Sequence, residues 1–296
     1  MFRVIPLILK FIFLVALISI PALAQVKSKD QINNSRRPIK RLRQLPREPA
    51  SEELAKKSQN PLARLKKISF DNNFIFGAGP EDDASIYSLR TGLIFPINLG
   101  KIDIINRWFV PLIYQDEIVP TEGSAFGISD MFIQTIFSPS EPRWGLIFGE
   151  MTWGIGPVIS IPTSTEEMLG TDKVSIGPVF AIARKPGDWV FGWLAQNLWS
   201  VAGDEDASKV NEFSLQYFIN YNLKNGFYLT TTNFVIANWE ADGDNRWTVP
   251  IGGGFGRVIK IGEKALDFKV QSFWIAERPK FGADWSLQFG VKLLFP

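Results

Sequence analysis

Apolar and polar residues alternate along this chain in segments of roughly ten to fifteen residues. The last segment shows the pattern most clearly, because apolar residues fill every second position and small or polar residues fill the positions between them. The apolar positions are Trp285, Leu287, Phe289, Val291, Leu293 and Phe295. Successive side chains of a β-strand point to opposite faces, so this segment has one apolar face and one polar face. The pattern predicts strands rather than helices.

Turn residues separate twelve segments of this kind from residue 67 onward. The predicted strands span 67–77, 85–97, 101–115, 124–138, 143–161, 174–185, 188–201, 210–223, 225–238, 246–260, 263–276 and 283–295. An even number is typical of bacterial single-chain membrane barrels. A soluble β-sandwich also alternates, so the strands alone do not decide between the two architectures.

The lengths of the connections separate the two architectures. Every second connection is tight: 98–101, 138–143, 185–188, 224–226 and 261–263. The connections between them are longer: 78–84, 116–123, 162–173, 202–209, 239–245 and 277–282. Short turns at one end and long loops at the other are typical of outer-membrane barrels, and they predict that both chain ends lie at the short-turn end.

The Asn225-Gly226 pair predicts the register of one hairpin. Asn-Gly favours a two-residue type I′ turn, which would pair Lys224 with Phe227 and Tyr221 with Thr230. This register places mostly apolar residues of both strands on one face, as a lipid-facing surface requires.

The composition favours a membrane barrel over a helical membrane protein. The chain contains 24 Phe and 10 Trp, yet its mean hydropathy is only +0.03. After the first 24 residues no stretch approaches the ~18 continuous apolar residues of a membrane-spanning helix. The predicted fold class is therefore all-β: a transmembrane antiparallel up-and-down β-barrel of about 12 strands, with short periplasmic turns and longer extracellular loops.

Residues 1–24 are predicted to be a cleaved signal peptide. Arg3 gives it a positive start, residues 11–20 are almost wholly apolar, and Ala22-Leu23-Ala24 is a small-residue cleavage site. Lys10 keeps the apolar run shorter than the ~20 residues that a transmembrane helix needs. The chain is therefore expected to be exported to the cell outer membrane of a Gram-negative bacterium.

Charge divides the remainder of the chain into two parts. Residues 25–66 carry 12 Lys/Arg and 4 Asp/Glu, a net charge of +8, whereas residues 67–296 carry 18 and 26, a net charge of −8. We expect 25–66 to be a basic, mostly disordered periplasmic segment in which 51–67 forms a short helix interrupted at Pro61, and 67–296 to be the barrel. Nucleic-acid binding is the alternative for the basic run. An exported chain rarely meets nucleic acid, so attraction to the acidic barrel or to anionic lipid is favoured.

Several segments resemble a family of bacterial outer-membrane proteins linked to phenol degradation, often catalogued as transporters or as bacterial neuromedin U. The matching segments are FDNNFIFGAGPEDD, RWFVPLIYQ, FGISDMFIQTIFSP, WGIGPVISIPT, LGTDKVSIGPV, NLWSVAGD, NYNLKNGFYLTTTNFVIANWEADGDNRWTVPIGGGFGRV and LQFGVKLLFP. They cover most of residues 60–296. The resemblance implies an outer-membrane barrel with a transport role and no assigned catalytic residues. The aromatic residue that usually ends such proteins is Phe295 here, and it is followed by Pro296.

Charged residues on the polar faces of the strands are the candidate site. Arg90 and Arg107 flank the predicted turn at 98–101 and share a face with small and polar residues, so both should point into the lumen. Two desolvated like charges need carboxylates or water nearby, and we expect Asp130 and Glu150 on the next hairpin to supply the carboxylates. The cluster is either a charged constriction that filters solutes or a salt-bridge network that braces a filled barrel. The other expected lumen residues are Glu212, Gln216, Asp267, Lys269, Gln271, Gln288 and Lys292.

The long loops are acidic, for example at 81–83, 204–206 and 242–244. Carboxylates suit Ca²⁺ or Mg²⁺, ions that bridge lipopolysaccharide, but no spacing here matches a full calcium loop, so no resident metal is predicted. The alternative function is a structural or surface-interaction barrel whose acidic loops bind cations, lipopolysaccharide or a partner.

The chain contains no His and no Cys. His-dependent catalytic triads and zinc sites with His or Cys ligands therefore cannot be built from it, and no Ser-Lys or two-carboxylate constellation is visible. We predict that the chain is not an enzyme and needs no cofactor. The predicted function is a channel or transporter that passes small solutes by passive diffusion, and the resemblance alone suggests aromatic or hydrophobic ones. The expected partners are outer-membrane lipid, lipopolysaccharide, the barrel-assembly machinery and the solute, with no nucleic acid.

Overall fold

The computed structural model of the chain describes residues 51–118, 123–141, 143–145, 149–262 and 264–295, and for 143–145 and 149–150 it describes the backbone alone. The predicted signal peptide and residues 25–50 of the basic segment lie outside the described residues. One α-helix, α1 (Ser51–Gln59), precedes the strands in the described part. The strands are β1 (Lys66–Ala78), β2 (Ala84–Asn98), β3 (Ile102–Gln115), β4 (Ala125–Ile128), β5 (Met131–Pro139), β6 (Arg143–Gly145), β7 (Gly149–Ile161), β8 (Lys173–Arg184), β9 (Trp189–Gly203), β10 (Asn211–Asn222), β11 (Phe227–Asn238), β12 (Trp247–Ile261), β13 (Lys264–Glu277) and β14 (Trp285–Phe295).

The strands close into one antiparallel barrel. β1 pairs with β14 from Lys66↔Phe295 to Phe76↔Trp285, which joins the first strand to the last. The segments β4, β5 and β6 follow one another along a single line, because β3 pairs with β4 and β5 while β7 pairs with β5 and β6. They form one interrupted strand, so the barrel has twelve strands. The predicted fold class is confirmed.

One predicted turn is wrong. The chain was expected to reverse between residues 138 and 143, but the strand continues to Gly145, which pairs with Gly149. Phe137 faces Ile155 and Arg143 faces Met151, so five residues lie between the paired positions on one side and three on the other. The prolines in the sequence Pro139-Ser140-Glu141-Pro142 lack backbone donors and suggest a turn, yet pairing with β7 resumes at Arg143.

The register of the β10–β11 hairpin is also corrected. Asn225 and Gly226 have φ values of 60° and 75°, as the predicted type I′ turn requires, and Phe227 N–H donates to the Lys224 carbonyl. Lys224, however, is an extra residue, because Leu223 N–H donates to the Phe227 carbonyl at 2.8 Å. The bulge shifts the register by one residue, so Tyr221 faces Leu229 instead of Thr230.

The outward face of the barrel is apolar. Phe126, Phe255 and Trp274 are 62%, 58% and 60% exposed, and large apolar side chains are exposed on most strands. An apolar surface of this extent around a barrel is what contact with lipid requires. Strands of 11 to 15 residues, such as β14 and β2, reach or exceed the ~9–11 residues that cross a bilayer. Within the described residues, no helix has both the length and the apolar character to cross a membrane.

The end of the basic segment forms a short helix. Helix α1 occupies Ser51–Gln59, within the stretch where a helix was predicted, and it ends before Asn60-Pro61. The Asn60 side chain accepts a hydrogen bond from Leu62 N–H at 2.9 Å and turns the chain toward β1. Residues 51–65, called the plug below, lie against the inner wall at the short-turn end.

Candidate functional site

Polar contacts join the plug to the short turns on one side of the barrel. Lys56 Nζ donates to the Gly187 carbonyl at 2.8 Å and lies 3.1 Å from Asp188 Oδ1, both in the β8–β9 turn. Asn225 N–H, in the β10–β11 turn, donates to Glu52 Oε1 at 2.8 Å. These contacts fix the start of the plug at the rim.

The end of the plug contacts the opposite side of the rim. Arg64 Nε donates to Asp103 Oδ2 at 2.6 Å, and Arg64 Nη2 donates to the Ser140 carbonyl at 2.7 Å. Leu62 packs among buried apolar residues of β2, β3, β5 and β7 to β9. A second buried cluster combines Leu54, Ala55, Leu65, Tyr228, Val258, Ala265 and Leu294. The plug therefore crosses the short-turn end of the lumen and fills it.

A buried carboxylate connects the plug to the wall. Asp267 has a fully buried side chain and accepts hydrogen bonds of 2.5 Å from both Ser58 Oγ and Tyr228 Oη. Lys292 Nζ lies 3.6 Å from Oδ2, the oxygen that also accepts the hydrogen bond from Ser58. Lys67 Nζ donates to the Ser58 carbonyl at 2.9 Å. A buried charge is tolerated when it is paired and hydrogen-bonded, and Asp267 meets both conditions.

Above the plug lies the inner cavity, with a volume of about 190 Å³. Its wall carries five cationic side chains and one carboxylate: Lys67, Arg90, Arg107, Lys269, Lys292 and Asp71. Arg90 Nη2 lies 3.9 Å from Asp71 Oδ2, and Arg107 Nη2 donates a long hydrogen bond of 3.4 Å to Gln216. The cavity is strongly basic.

The ring of Phe109 contacts both arginines of the inner cavity. The Arg90 and Arg107 guanidinium carbons lie 5.3 and 5.2 Å from the centre of its ring, and Arg90 also lies 5.0 Å from the Phe234 ring across the lumen. Gly92, on β2 opposite Phe109, provides the space for the ring. Cation–π contacts of this kind hold the guanidinium groups in a layer across the barrel.

Substitution of Gly92 by Ala is expected to disturb that layer. An added Cβ would lie 2.8 Å from Phe109 Cε1 and 2.6 Å from Ser69 Oγ, so the ring must move at a cost of about 1–3 kcal/mol. Guanidinium unfolding in detergent micelles, followed by tryptophan fluorescence, measures this loss. Gly243→Ala is the matched control, because nothing lies within 4 Å of the added atom. Equal stability of the two variants would show that the position of Phe109 does not depend on Gly92.

On the long-loop side of this layer lies the outer cavity, with a volume of about 550 Å³ and a mostly apolar wall. Its apolar residues include Ile75, Phe132, Leu198, Ile236 and Ile275. The inner and outer cavities share wall residues: Asn73, Arg90, Asn233, Phe234 and Gln288. The two spaces are therefore adjacent, with Arg90 and Phe234 at their boundary.

The wall beside both cavities contains an unpaired seam. β11 and β12 pair from Phe227↔Arg257 to Thr230↔Gly254 and again from Ile236↔Thr248, but 231–235 and 249–253 are not paired. Side chains replace the missing backbone bonds. Gln271 accepts from Thr232 N–H at 2.9 Å and donates to the Thr232 carbonyl at 3.3 Å, and Tyr217 Oη donates to the Pro250 carbonyl at 2.8 Å.

The glycines of β12 allow Gln271 to reach Thr232. Gly252 and Gly254 lie between β11 and β13, and an added Cβ at either would lie about 2 Å from a backbone oxygen of β13. Pro250 removes one donor from the strand, since proline has no backbone N–H. The seam is therefore closed by side chains, which rearrange more readily than a backbone ladder.

The structure brings four of the predicted site residues together and separates the others. Arg90, Arg107, Lys269 and Lys292 line the inner cavity, and Glu212 lines the outer cavity. Asp130 is not a partner of the arginines: it accepts from Thr171 N–H and Oγ1, both at 2.8 Å, at the long-loop end. The side chain of Glu150 lies outside the described residues. The carboxylate beside Arg90 is Asp71, on β1.

Asp71, Lys67 and Phe109 are site residues that the sequence reasoning missed. The sequence could have indicated Asp71 and Lys67, because every second residue of β1 from 67 to 73 is polar. All four of these residues line the inner cavity: Lys67, Ser69, Asp71 and Asn73. Phe109 gave no such signal, since an aromatic residue in a strand fits either face.

Two acidic residues at the long-loop end, Asp82 and Asp116, make local contacts. Asp82 lies 3.4 Å from Arg278. Burial favours the neutral form of Asp116, but hydrogen bonds from Ser85 and Tyr114 hold the pKa of its carboxyl below the ordinary value. Among the described residues, no group of three or more acidic side chains is arranged to hold a metal ion.

Comparison with known proteins supports the fold. No family model and no curated relative matches the chain by sequence. An outer-membrane channel from Pseudomonas putida F1 is similar in structure, with a TM-score of 0.59 and 13% identity over 78% of this chain and 94% of that chain. Outer membrane phospholipase A from Escherichia coli has a TM-score of 0.39 and 12% identity over 77% of this chain and 96% of that chain. The β domain of a Bordetella autotransporter has a TM-score of 0.39 and 11% identity over 77% and 98%.

These comparisons correct one prediction. The solved structures that resemble this chain include an enzyme, outer membrane phospholipase A, so the prediction that the chain is not an enzyme is contradicted. At such low identity the likeness concerns the fold and transfers no activity or residue role. The link to phenol degradation stays a prediction. The chain has the fold of an outer-membrane β-barrel and is similar to an outer-membrane channel.

Proposed function

We propose that this chain is an outer-membrane channel through which small solutes with a large apolar surface diffuse passively. The observation that carries the proposal is the apolar outer cavity, which lies beside the unpaired seam between β11 and β12. A solute that enters the outer cavity from the long-loop end meets the layer of Arg90 and Phe234 and the plug below it. The seam offers a shorter route, from the cavity sideways into the membrane.

Dye entry into intact cells tests this proposal. Lipopolysaccharide excludes the apolar dye N-phenylnaphthylamine, which fluoresces once it reaches lipid. Cells that express the chain should take up the dye faster than cells with an empty vector. Equal rates, with the folded barrel present in the outer membrane, would reject the proposal.

Substitution of Gln271 by Ala is expected to accelerate dye entry. The change removes both contacts that hold Thr232 of the seam, and the loss of these buried hydrogen bonds should lower stability by about 1–3 kcal/mol. Gln196→Ala is the control, because Gln196 also lines the outer cavity but bonds to the side chain of Gln134 and not to a strand backbone. Entry that is equally fast through both variants would show that the seam is not the route.

We also propose that the signal peptide is cleaved between Ala24 and Gln25 and that the barrel-assembly machinery inserts the chain into the outer membrane, in contact with lipid and lipopolysaccharide. Membrane fractionation followed by N-terminal sequencing tests both steps. A chain that starts at Met1, or that stays in the inner-membrane fraction, would contradict this route.

A further inference from the structure

We infer that the solute is an amphiphilic anion, with a carboxylate seated among Arg90, Arg107 and Lys269 in the inner cavity and an apolar body in the outer cavity. This inference rests on the proposed function and specifies its substrate class. The argument begins with charge. Besides the five basic side chains and Asp71 on the cavity wall, Asp267 lies behind Lys292, so five basic groups face only two carboxylates of the described residues.

Unused hydrogen-bond donors point to the same chemistry. Arg107 is only 8% exposed, yet its Nη1 has no hydrogen-bond partner among the described residues, and the same holds for Arg90 Nε. Buried donors without partners are costly, and those on a guanidinium match the two oxygens of a carboxylate. An anion in the inner cavity would use these donors and offset part of the charge of the basic groups.

The position of the outer cavity indicates the chemistry of the remainder of the solute. Arg90 belongs to the walls of both cavities, so an anionic group bound to it can continue directly into the apolar space. The rings of Phe109, Phe132 and Phe234 flank that passage, and the first two are stacked with centres 4.8 Å apart. A cation would meet repulsion at Arg90, and a neutral solute would leave the donors unfilled.

An anionic, a neutral and a cationic solute are compared with three compounds that share one apolar body: phenylbutyrate, phenylbutanol and phenylbutylammonium. The full chain is purified from membranes and placed in nanodiscs of phosphatidylcholine, and each compound is measured by equilibrium dialysis against empty nanodiscs. Phenylbutyrate should bind about ten- to a hundredfold more tightly than phenylbutanol, and phenylbutylammonium should bind most weakly.

Two substitutions test the cavity itself. Arg107→Gln should remove most of the preference for the acid, whereas Arg257→Gln, which makes the same change on the exposed outer face, should leave it intact. Asp71→Asn should tighten binding of phenylbutyrate several-fold, because it removes the carboxylate that competes for Arg90. A gain in affinity cannot result from misfolding, so this variant keeps the test valid if Arg107→Gln fails to fold.

The outcomes separate this inference from the proposed function. Preference for the acid, lost in Arg107→Gln and increased in Asp71→Asn, supports the anion site. Equal binding of the acid and the alcohol, or tighter binding of the ammonium compound, overturns it; the proposed channel then stands if N-phenylnaphthylamine still enters cells faster. If none of the compounds binds, the anion site is overturned, and dye entry into expressing cells no faster than into cells with an empty vector would overturn the channel as well.

Discussion

Deletion of residues 51–65 is expected to convert the barrel into a channel with discrete and several-fold larger current steps across a planar lipid bilayer. The plug fills the short-turn end of the lumen, where Leu54 and Leu65 are buried against the wall and Arg64 spans to Asp103. Barrels of ~8 strands are filled by their own side chains and those of ~16 hold water channels, so a twelve-stranded barrel has room for water once the plug is removed.

Two lysines of α1 provide a matched pair for a milder test. Lys56 contacts the β8–β9 turn, whereas Lys57 pairs with Glu53 on the same helix. Lys56→Ala should therefore give rare brief openings, and Lys57→Ala should conduct like the unmodified chain. If the deletion variant folds and still passes no current, the plug is not the barrier, and the layer of Arg90, Phe109 and Phe234 is the remaining candidate.

Alternation predicted the strands, because an inward polar face and an outward lipid face impose a period of two on every strand. The sorting of short and long connections then distinguished a membrane barrel from a soluble sandwich. The predictions that were wrong concern two individual connections. The prolines at 139 and 142 suggest a turn where the strand continues, and Lys224 adds one residue beside a correctly predicted Asn-Gly turn.

The candidate site was harder to predict because some of its contacts cross the lumen. Arg90 reaches Phe234 on the far wall. Asp71, by contrast, faces Arg90 on the adjacent strand β1, and this pairing was overlooked when Asp130 on a later hairpin was expected to be the partner. Contacts across the lumen depend on strand register, tilt and side-chain rotamers together, and a pattern of apolar and polar positions specifies none of these. The plug itself requires tertiary packing, because its sequence is mostly polar.

Substitution of Asp267 by Ala is expected to lower the free energy of unfolding by about 3–5 kcal/mol, since it leaves the partly buried Lys292 without its carboxylate. It also leaves the hydroxyls of Ser58 and Tyr228 without their acceptor. Guanidinium unfolding of the protein in detergent micelles measures the loss. Asp82→Ala is the control: Asp82 also faces a basic residue, Arg278, but its side chain is 57% exposed, and a surface pair of this kind contributes within about 1 kcal/mol.

The same substitution shows whether the plug is held by the hydrogen bond to Asp267 or by apolar packing. If Asp267 is the anchor, Asp267→Ala and Ser58→Ala should both raise the frequency of channel openings, and the double variant should add little to Asp267→Ala alone, because the two residues share one hydrogen bond. If the apolar cluster around Leu54 and Leu65 holds the plug instead, Asp267→Ala will destabilise the barrel without increasing current, and Leu54→Ala will open it. Stability and current measured on the same variants therefore show whether one buried charge both supports the wall and keeps the lumen closed.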